Sequence, residues 1–199
     1  MIQTNHQTQR GFALLITLLT VGVIVSATLA IVELSRLQLK LSVDSRDAEI
    51  AFSAANAAKE CAQYIRTTAS STISLGNQIN ATCLEQSVSS LVVNPLGFGV
   101  SGGGNGSVRR YNYEIDWDTS GSARCSAVEM IVVYANTGDI TIGGNGNNSL
   151  QTVISNYRTP TMRCVGGSEC TIIAASGYNS TCNNKDNLGV LKREVLLEF

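Results

Sequence analysis

Histidine and closely spaced cysteine pairs are almost missing from this 199-residue chain. The only histidine, His6, lies near the N-terminus, and no two cysteines are separated by two residues. A structural zinc site is disfavoured, because such sites use close pairs of cysteine or histidine ligands. Catalysis by a histidine nucleophile or general base is excluded for the rest of the chain. We therefore expect a protein that is not an enzyme and that binds no metal or other cofactor.

The chain also lacks an excess of charge of either sign. Its 14 Lys and Arg residues nearly balance its 15 Asp and Glu residues, so a surface that binds nucleic acid through phosphates is not indicated. Between Gly11 and Val32 no residue is charged, and the stretch reads GFALLITLLTVGVIVSATLAIV. This is about the length of a helix that crosses the hydrocarbon core of a bilayer. The sequence therefore predicts a membrane-spanning segment over residues 12–32.

Glycine and proline are absent between Gly22 and Gly76, so that no helix breaker occurs there. Small or apolar residues recur in this region at alternating spacings of three and four, which is the periodicity of one helix face. They are Ala48, Ala51, Ala55, Ala58, Ala62 and Ile65. We predict one long helix over residues 12–66. Its amphipathic second half packs on the globular part of the protein, and its first half is free to meet lipid or other subunits.

A cleaved secretory signal peptide is the alternative interpretation of the N-terminal segment. Its apolar core would be about 7–15 residues long and would end at a small-residue cleavage site. Val25-Ser26-Ala27 has the composition of such a site. The apolar run continues past Ala27 into the amphipathic helix, and this continuity favours an anchor.

Six cysteines follow the apolar segment, and all would lie on one side of a membrane. They are Cys61, Cys83, Cys125, Cys164, Cys170 and Cys182. An even number favours an oxidising compartment and up to three disulfides. Free buried thiols are the alternative.

The second half of the chain has the alternating pattern of β-strands. Tyr111, Tyr113, Ile115 and Trp117 alternate with polar residues, and we expect this aromatic face to pack on the long helix. Further strands are predicted at residues 128–135, 139–142, 171–176 and 190–199. The predicted fold class is α+β, with a long N-terminal helix packed on an antiparallel sheet.

The segment Gln9-Arg10-Gly11-Phe12-Ala13-Leu14-Leu15 resembles the processing site of type IV prepilins. The resemblance covers residues 9–66, and residues 45–58, SRDAEIAFSAANAA, are similar to minor pilins in their Arg-Asp, Ala-Phe and Ala-Ala pairs. It implies that a membrane peptidase cuts after Gly11 and that Phe12 becomes the N-methylated first residue. It also implies a leader over residues 1–11, which Arg10 helps to hold in the cytoplasm.

One position departs from the family pattern. Most pilins have a glutamate at the fifth mature position, where its carboxylate pairs with the N-terminal amine of a neighbouring subunit. This chain has Ile16 there, and Glu33 lies too far along the helix to replace that glutamate. We expect Glu33 at the membrane interface. Tip subunits of the related pseudopilins also lack the glutamate, so the resemblance favours a minor or tip subunit.

The resemblance also bears on the disulfides. The C-terminal region of pilins is often stapled by a disulfide, and Cys164, Cys170 and Cys182 fall in such a region here. Six cysteines allow fifteen pairings. We specify only one, between Cys61 at the end of the helix and Cys83 in the loop that follows.

The resulting hypothesis is a structural subunit of a type IV pilus or related filament. It has a leader (1–11), a helix (12–66) and a globular head (67–199). The implied partners are other pilin subunits, the prepilin peptidase, the assembly platform of the inner membrane, membrane lipid before assembly and an unspecified surface ligand. The implied location is the cytoplasmic membrane and then the cell surface. The alternatives are a major pilin, an uncut membrane-anchored receptor or adhesin, and a secreted enzyme, which the scarcity of histidine disfavours.

Overall fold

The computed structural model describes residues 7–83, 85–89, 91–93, 100–117, 124–144, 149–154 and 157–199. Residues 1–6 of the expected leader, with His6, therefore lie outside the described residues. The chain divides into two compact units, Met1–Arg46 and Asp47–Phe199.

The dominant element is helix α1, Gln7–Thr68. It begins earlier than the predicted residue 12, inside the expected leader. The reason is local, because Gln7 to Arg10 contain no helix breaker and the single residue Gly11 costs a helix only about 1 kcal/mol. The predicted helix is otherwise confirmed, and its end at Thr68 lies two residues beyond the predicted one.

Among the described residues the second unit contains two further short α-helices, one 3-10 helix (Cys182–Asn184) and ten strands. In chain order the α-helices and strands are α2 (Ser70–Leu75), β1 (Asn80–Cys83), β2 (Gln86–Ser89), β3 (Leu91–Val93), β4 (Val100–Ser101), β5 (Asn105–Asp116), β6 (Cys125–Thr137), β7 (Ile140–Gly143), α3 (Leu150–Val153), β8 (Thr161–Cys164), β9 (Glu169–Tyr178) and β10 (Lys192–Glu198).

These strands form three antiparallel sheets. The largest has the order β10-β9-β6-β5-β3, a second has the order β4-β7-β8, and β1 pairs with β2. All five predicted strands are present, as β5, β6, β7, β9 and β10. The α+β class with an antiparallel sheet is confirmed.

The end of α1 in the second unit packs on one face of the five-stranded sheet, which we call the inner face. The predicted stripe is buried there, with Ala51, Ala55, Ala58 and Ala62 fully inaccessible to solvent. Across from them lie apolar side chains of the sheet, namely Tyr111, Tyr113, Ile115, Trp117, Val128, Met130 and Ile173. The expected packing of the aromatic face of β5 on the helix is confirmed.

A chain of hydrogen bonds fixes the helix on this face. Ser126 on β6 donates its hydroxyl to the carbonyl oxygen of Ala54 at 2.8 Å, and it accepts the indole N–H of Trp117 at 2.8 Å. Tyr111 donates its hydroxyl to the carbonyl oxygen of Ile73 in α2 at 3.0 Å. These buried groups satisfy each other, which avoids the cost of a buried polar group without a partner.

Arg66, near the end of α1, is a buried cation on the inner face. Its side chain is buried, and its Nε donates to the Thr171 hydroxyl at 3.0 Å. Its guanidinium also pairs with Glu169 and lies 6.0 Å from the centre of the Tyr134 ring. A buried cation is tolerated here because a carboxylate and a hydroxyl replace its lost hydration.

The opposite, outer face of the five-stranded sheet is covered over part of its area by β7, β8 and α3. The buried cluster there includes Ile131, Val133, Ile140, Ile142, Leu150, Ile154 and Ile172. In this region β6 is buried on both faces. Its residues 131–135 are accordingly a continuous apolar run, without the alternation of polar residues that a half-exposed strand has.

All six cysteines are paired in disulfides. Cys61–Cys83 joins α1 to β1, and these are the two cysteines singled out in the sequence. Cys125–Cys182 joins the start of β6 to the turn after β9, and Cys164–Cys170 joins β8 to β9. Three disulfides therefore cross-link the globular part at separate points.

Candidate functional site

The apolar segment of α1 lies in the first unit and exposes its side chains on all sides. Phe12 is 68% exposed and Leu18 is 71% exposed, although both are large and apolar. Within the part of the chain that the structure describes, α1 is the one helix long and apolar enough to cross a membrane. Contiguous apolar surface of this extent marks contact with lipid or with another protein.

The hydroxyl groups in this segment are satisfied inside the helix itself. Thr17 donates to the carbonyl oxygen of Leu14 at 2.9 Å, and Ser26 donates to that of Val23 at 2.9 Å. Thr20 and Thr28 make the same type of bond. Such bonds leave no hydroxyl donor without a partner, which is what insertion into hydrocarbon requires. The segment is therefore compatible with lipid despite its four hydroxyls.

The residues predicted to act in processing and assembly all lie on this helix. Gly11 and Phe12 are inside α1, so their peptide bond is in helical conformation. Ile16 is 45% exposed, and Glu33 is exposed as well. At 1.5 Å per residue Glu33 lies about 25 Å from Ile16 along the axis, so one helix does not bring these two residues together.

A second candidate site lies on the part of the outer face that β7, β8 and α3 leave open. It is a cleft of about 390 Å³, which we call the outer-face cleft. Its floor consists of small residues on neighbouring strands, Ala127 on β6 with Ala174 and Ser176 on β9, and Val153 and Ile154 form one wall. Ala127 and Ser176 are direct partners across β6 and β9, and Ala174 is the adjacent outer-face residue on β9. The cleft exists because these three short side chains adjoin one another between longer ones.

Charged groups surround this floor in pairs. Glu129 binds Arg110, and Glu194 accepts from Lys192 Nζ at 3.0 Å and from the Ser176 hydroxyl at 3.3 Å. Burial raises the pKa of the Glu129 carboxyl, and the hydrogen bond from Arg110 opposes that rise. The cleft therefore holds carboxylates that are partly desolvated and yet matched by cations.

One polar atom at the cleft lacks a partner. Asn112 lines the cleft opposite Glu129 on the neighbouring strand. Its Oδ1 is buried and has no hydrogen-bond partner among the described residues. An acceptor in this state costs free energy in the folded protein unless something else donates to it.

Glu114 and Asp116 share the outer face of β5. Glu114 binds Lys185, and Asp116 is exposed. Glu114 also lies near Cys125 and Cys182, and these three form the one group of potential metal ligands in the described ranges. Both sulfur atoms of that group are in a disulfide. A disulfide offers no thiolate, so the group is not a thiolate metal site.

Comparison with known proteins adds no relative. The chain matches no family model, no curated protein and no solved structure.

The outer-face cleft was not predicted from the sequence. A signal for it exists, because Glu129 interrupts the apolar pattern of β6 and Asn112 and Glu114 occupy polar positions of β5. A charged residue inside an otherwise apolar strand indicates a partner across the sheet or a site. That partner, Arg110, could be identified only once the strand register was known.

Proposed function

We propose that this chain is a minor or tip subunit of a type IV pilus or a related filament, and not an enzyme. One observation carries the proposal. Helix α1 is charge-free over its apolar segment and exposes side chains on all sides there, and it continues without a break into the alanine stripe that packs on a disulfide-bonded α+β head. A helix that is both anchor and scaffold suits a subunit that leaves the membrane to polymerise through the same surface.

The disulfides support an orientation in which the head lies on the non-cytoplasmic side of the membrane. Every cysteine follows the apolar segment and every cysteine is bonded, which supports a location of the head in an oxidising compartment. In a bacterium this is the side of the cytoplasmic membrane away from the cytoplasm. The charges next to the segment do not set this orientation, because Arg10 precedes it whereas Arg36 and Lys40 follow it.

Processing and assembly give Gly11, Phe12 and Ile16 their roles in the proposal. A prepilin peptidase cuts between Gly11 and Phe12, and the methylated Phe12 becomes the N-terminus. With Ile16 in place of a carboxylate, the subunit offers no partner to the amine of a subunit above it. At the end of a filament no such amine is present, so the missing carboxylate suits a tip subunit. The alternative is a subunit inside the filament that docks through apolar contacts alone.

The proposed partners follow from this assembly route. Lipid surrounds the apolar segment before assembly, and the prepilin peptidase and the assembly platform of the inner membrane act on the precursor. Other pilin subunits then replace the lipid around residues 12–32. Glu33 lies at the membrane interface, where the helix leaves the bilayer.

The first test is the N-terminus of the protein in its host. Intact-mass and N-terminal peptide mass spectrometry are applied to protein from membranes and, separately, to protein from sheared surface filaments. We expect a chain that starts at methylated Phe12 and is present at low abundance in the filaments. A start at Met1 in both fractions would favour an uncut membrane-anchored binding protein, and a start after Ala27 would favour a secreted domain. High abundance in the filaments would favour a major pilin.

A pair of glycine variants separates processing from general damage to the helix. Gly11→Val is expected to leave the precursor uncut and absent from filaments. Gly22→Val is the matched control, because a Cβ at Gly22 would meet no atom within 4 Å. It is expected to be cut normally. Normal cutting of Gly11→Val would contradict the proposed junction.

A further inference from the structure

We propose that the outer-face cleft binds a neutral saccharide of one or two sugar units. The inference concerns the head alone and goes beyond the proposed role in a filament. It does not depend on whether the N-terminal segment is cut.

The dimensions of the cleft suit such a ligand. Its volume of about 390 Å³ falls in the range of about 300 to 1,000 Å³ that is usual for small-molecule sites. The side chains of Ala127, Ala174 and Ser176 are short, so the surface of the sheet is recessed between longer neighbouring side chains. A flat ring can therefore lie against the strands.

The polar groups around the floor match sugar hydroxyls. Each hydroxyl both donates and accepts, and so it needs acceptors and donors together. The acceptors are the carboxylates of Glu129 and Glu194. The donors are the ammonium group of Lys192 and the amide of Asn112.

The apolar groups suit the remaining surface of a sugar. Val153 and Ile154 form an apolar wall, and the partly exposed ring of Tyr178 lies at the edge of the cleft. The C–H faces of a sugar ring are apolar, and they pack against aliphatic walls or an aromatic ring. The cleft thus offers hydrogen bonds along the ring edge and contact for its face.

The charges argue for a neutral ligand. Glu129 is paired with Arg110, Glu194 with Lys192 and Glu114 with Lys185. Three carboxylates are therefore balanced by three cations. Because each lining carboxylate already has a cation partner, a cationic ligand would have to displace one, and an anionic ligand would meet three carboxylates and a single lining cation, Lys192.

The test measures binding of defined sugars to the full-length, disulfide-bonded chain. The protein is held in lipid nanodiscs without glycoside detergents, since those detergents would themselves occupy the cleft. Saturation-transfer difference NMR is recorded with lactose, maltose, cellobiose and N,N′-diacetylchitobiose, and empty nanodiscs give the background. We expect saturable binding of at least one of these disaccharides, with the strongest transfer to the ring protons that face the sheet.

Two variants locate the binding, and one variant is a control. Ala127→Leu fills the floor and is expected to abolish binding, and Asn112→Ala removes a side-chain amide that lines the cleft and is expected to weaken binding about tenfold. Asn80→Ala changes an exposed strand asparagine outside the cleft and is expected to leave the affinity unchanged. The fluorescence of Trp117, the only tryptophan, verifies that each variant is folded.

Three outcomes would overturn the proposal. One is the absence of saturable binding for all four sugars. Another is binding that persists in folded Ala127→Leu. The third is stronger displacement of the sugar by a lysine-containing tripeptide than by a second sugar, because that result would assign the cleft to a cationic peptide.

Discussion

The backbone of Gly177 on β9 lies directly against the carbonyl oxygen of Ala51 in α1. A Cβ at Gly177 would lie 2.0 Å from that oxygen and 2.4 Å from the amide nitrogen of Ala55. A glycine on the strand faces alanines on the helix, so the two backbones approach more closely than any larger pair would permit. This contact determines how closely the helix packs on the sheet of the head.

Replacement of Gly177 by alanine should therefore destabilise the head. The added methyl group meets backbone atoms, which cannot rotate away, so we expect a loss of about 3 kcal/mol in the free energy of unfolding. Urea unfolding followed by Trp117 fluorescence measures it in the full-length chain in nanodiscs. Gly103→Ala is the control, because nothing lies within 4 Å of its Cβ, and a change within about 0.5 kcal/mol is expected. Equal stability of the two variants would contradict the close packing.

The three disulfides should stabilise the head in the order of the loops they close. The separations are 57 residues for Cys125–Cys182, 22 for Cys61–Cys83 and 6 for Cys164–Cys170. In the chain-entropy model their removal costs about 4, 3 and 2 kcal/mol respectively. Each bond is removed by a pair of Cys→Ser substitutions, and urea unfolding gives the loss. A reversed order would show that local packing, and not loop entropy, dominates these bonds.

The titration of Glu129 should make stability fall as the pH rises. Its pKa in the folded protein is raised above the ordinary value of 4.5, chiefly because burial disfavours the charged form. Between the ordinary and the raised pKa the folded state binds more protons than the unfolded state, so the free energy of unfolding decreases with rising pH. The cost is absent below 4.5 and fully present above the folded pKa.

Glu129→Gln isolates this effect, since the variant retains every other titrating group. We expect the stability of the wild-type protein minus that of the variant to decrease as the pH increases from 4.5 through the folded pKa. Urea midpoints from Trp117 fluorescence, measured at a series of pH values, provide the difference. Asp139, whose pKa is lowered mainly by its hydrogen bond with Arg163, titrates in both proteins and cancels. A difference that is constant or grows with pH would contradict the assignment.

Ile16→Glu tests the proposed tip position. A carboxylate in the hydrocarbon core costs at most about 2.5 to 3.5 kcal/mol on insertion scales, the value for the centre of the span, and at a tip no amine of a later subunit would compensate. We therefore expect no gain in the fraction of the protein found in sheared filaments, as measured by quantitative mass spectrometry against the membrane fraction. Ile16→Leu serves as the control for expression and insertion. Increased incorporation of the glutamate variant would place the subunit inside the filament.

Several strands could be predicted because their patterns are long and regular. β5 alternates aromatic and polar residues, and a two-residue period identifies such a strand without knowledge of its neighbours. The hairpin β1–β2, the strands β3, β4 and β8, and the helices α2 and α3 were not predicted. Each has at most six residues, which is too short for a period to be distinguished from chance.

The sequence by itself determined the apolar segment, the long helix, its buried stripe and the antiparallel α+β class. These properties follow from composition and periodicity along one segment at a time. Tertiary structure alone decided the strand order β10-β9-β6-β5-β3, two of the three disulfides and the outer-face cleft. The reason is that each depends on residues far apart in the chain, such as Asn112 and Glu194, which come together only when strand register brings their strands into one sheet.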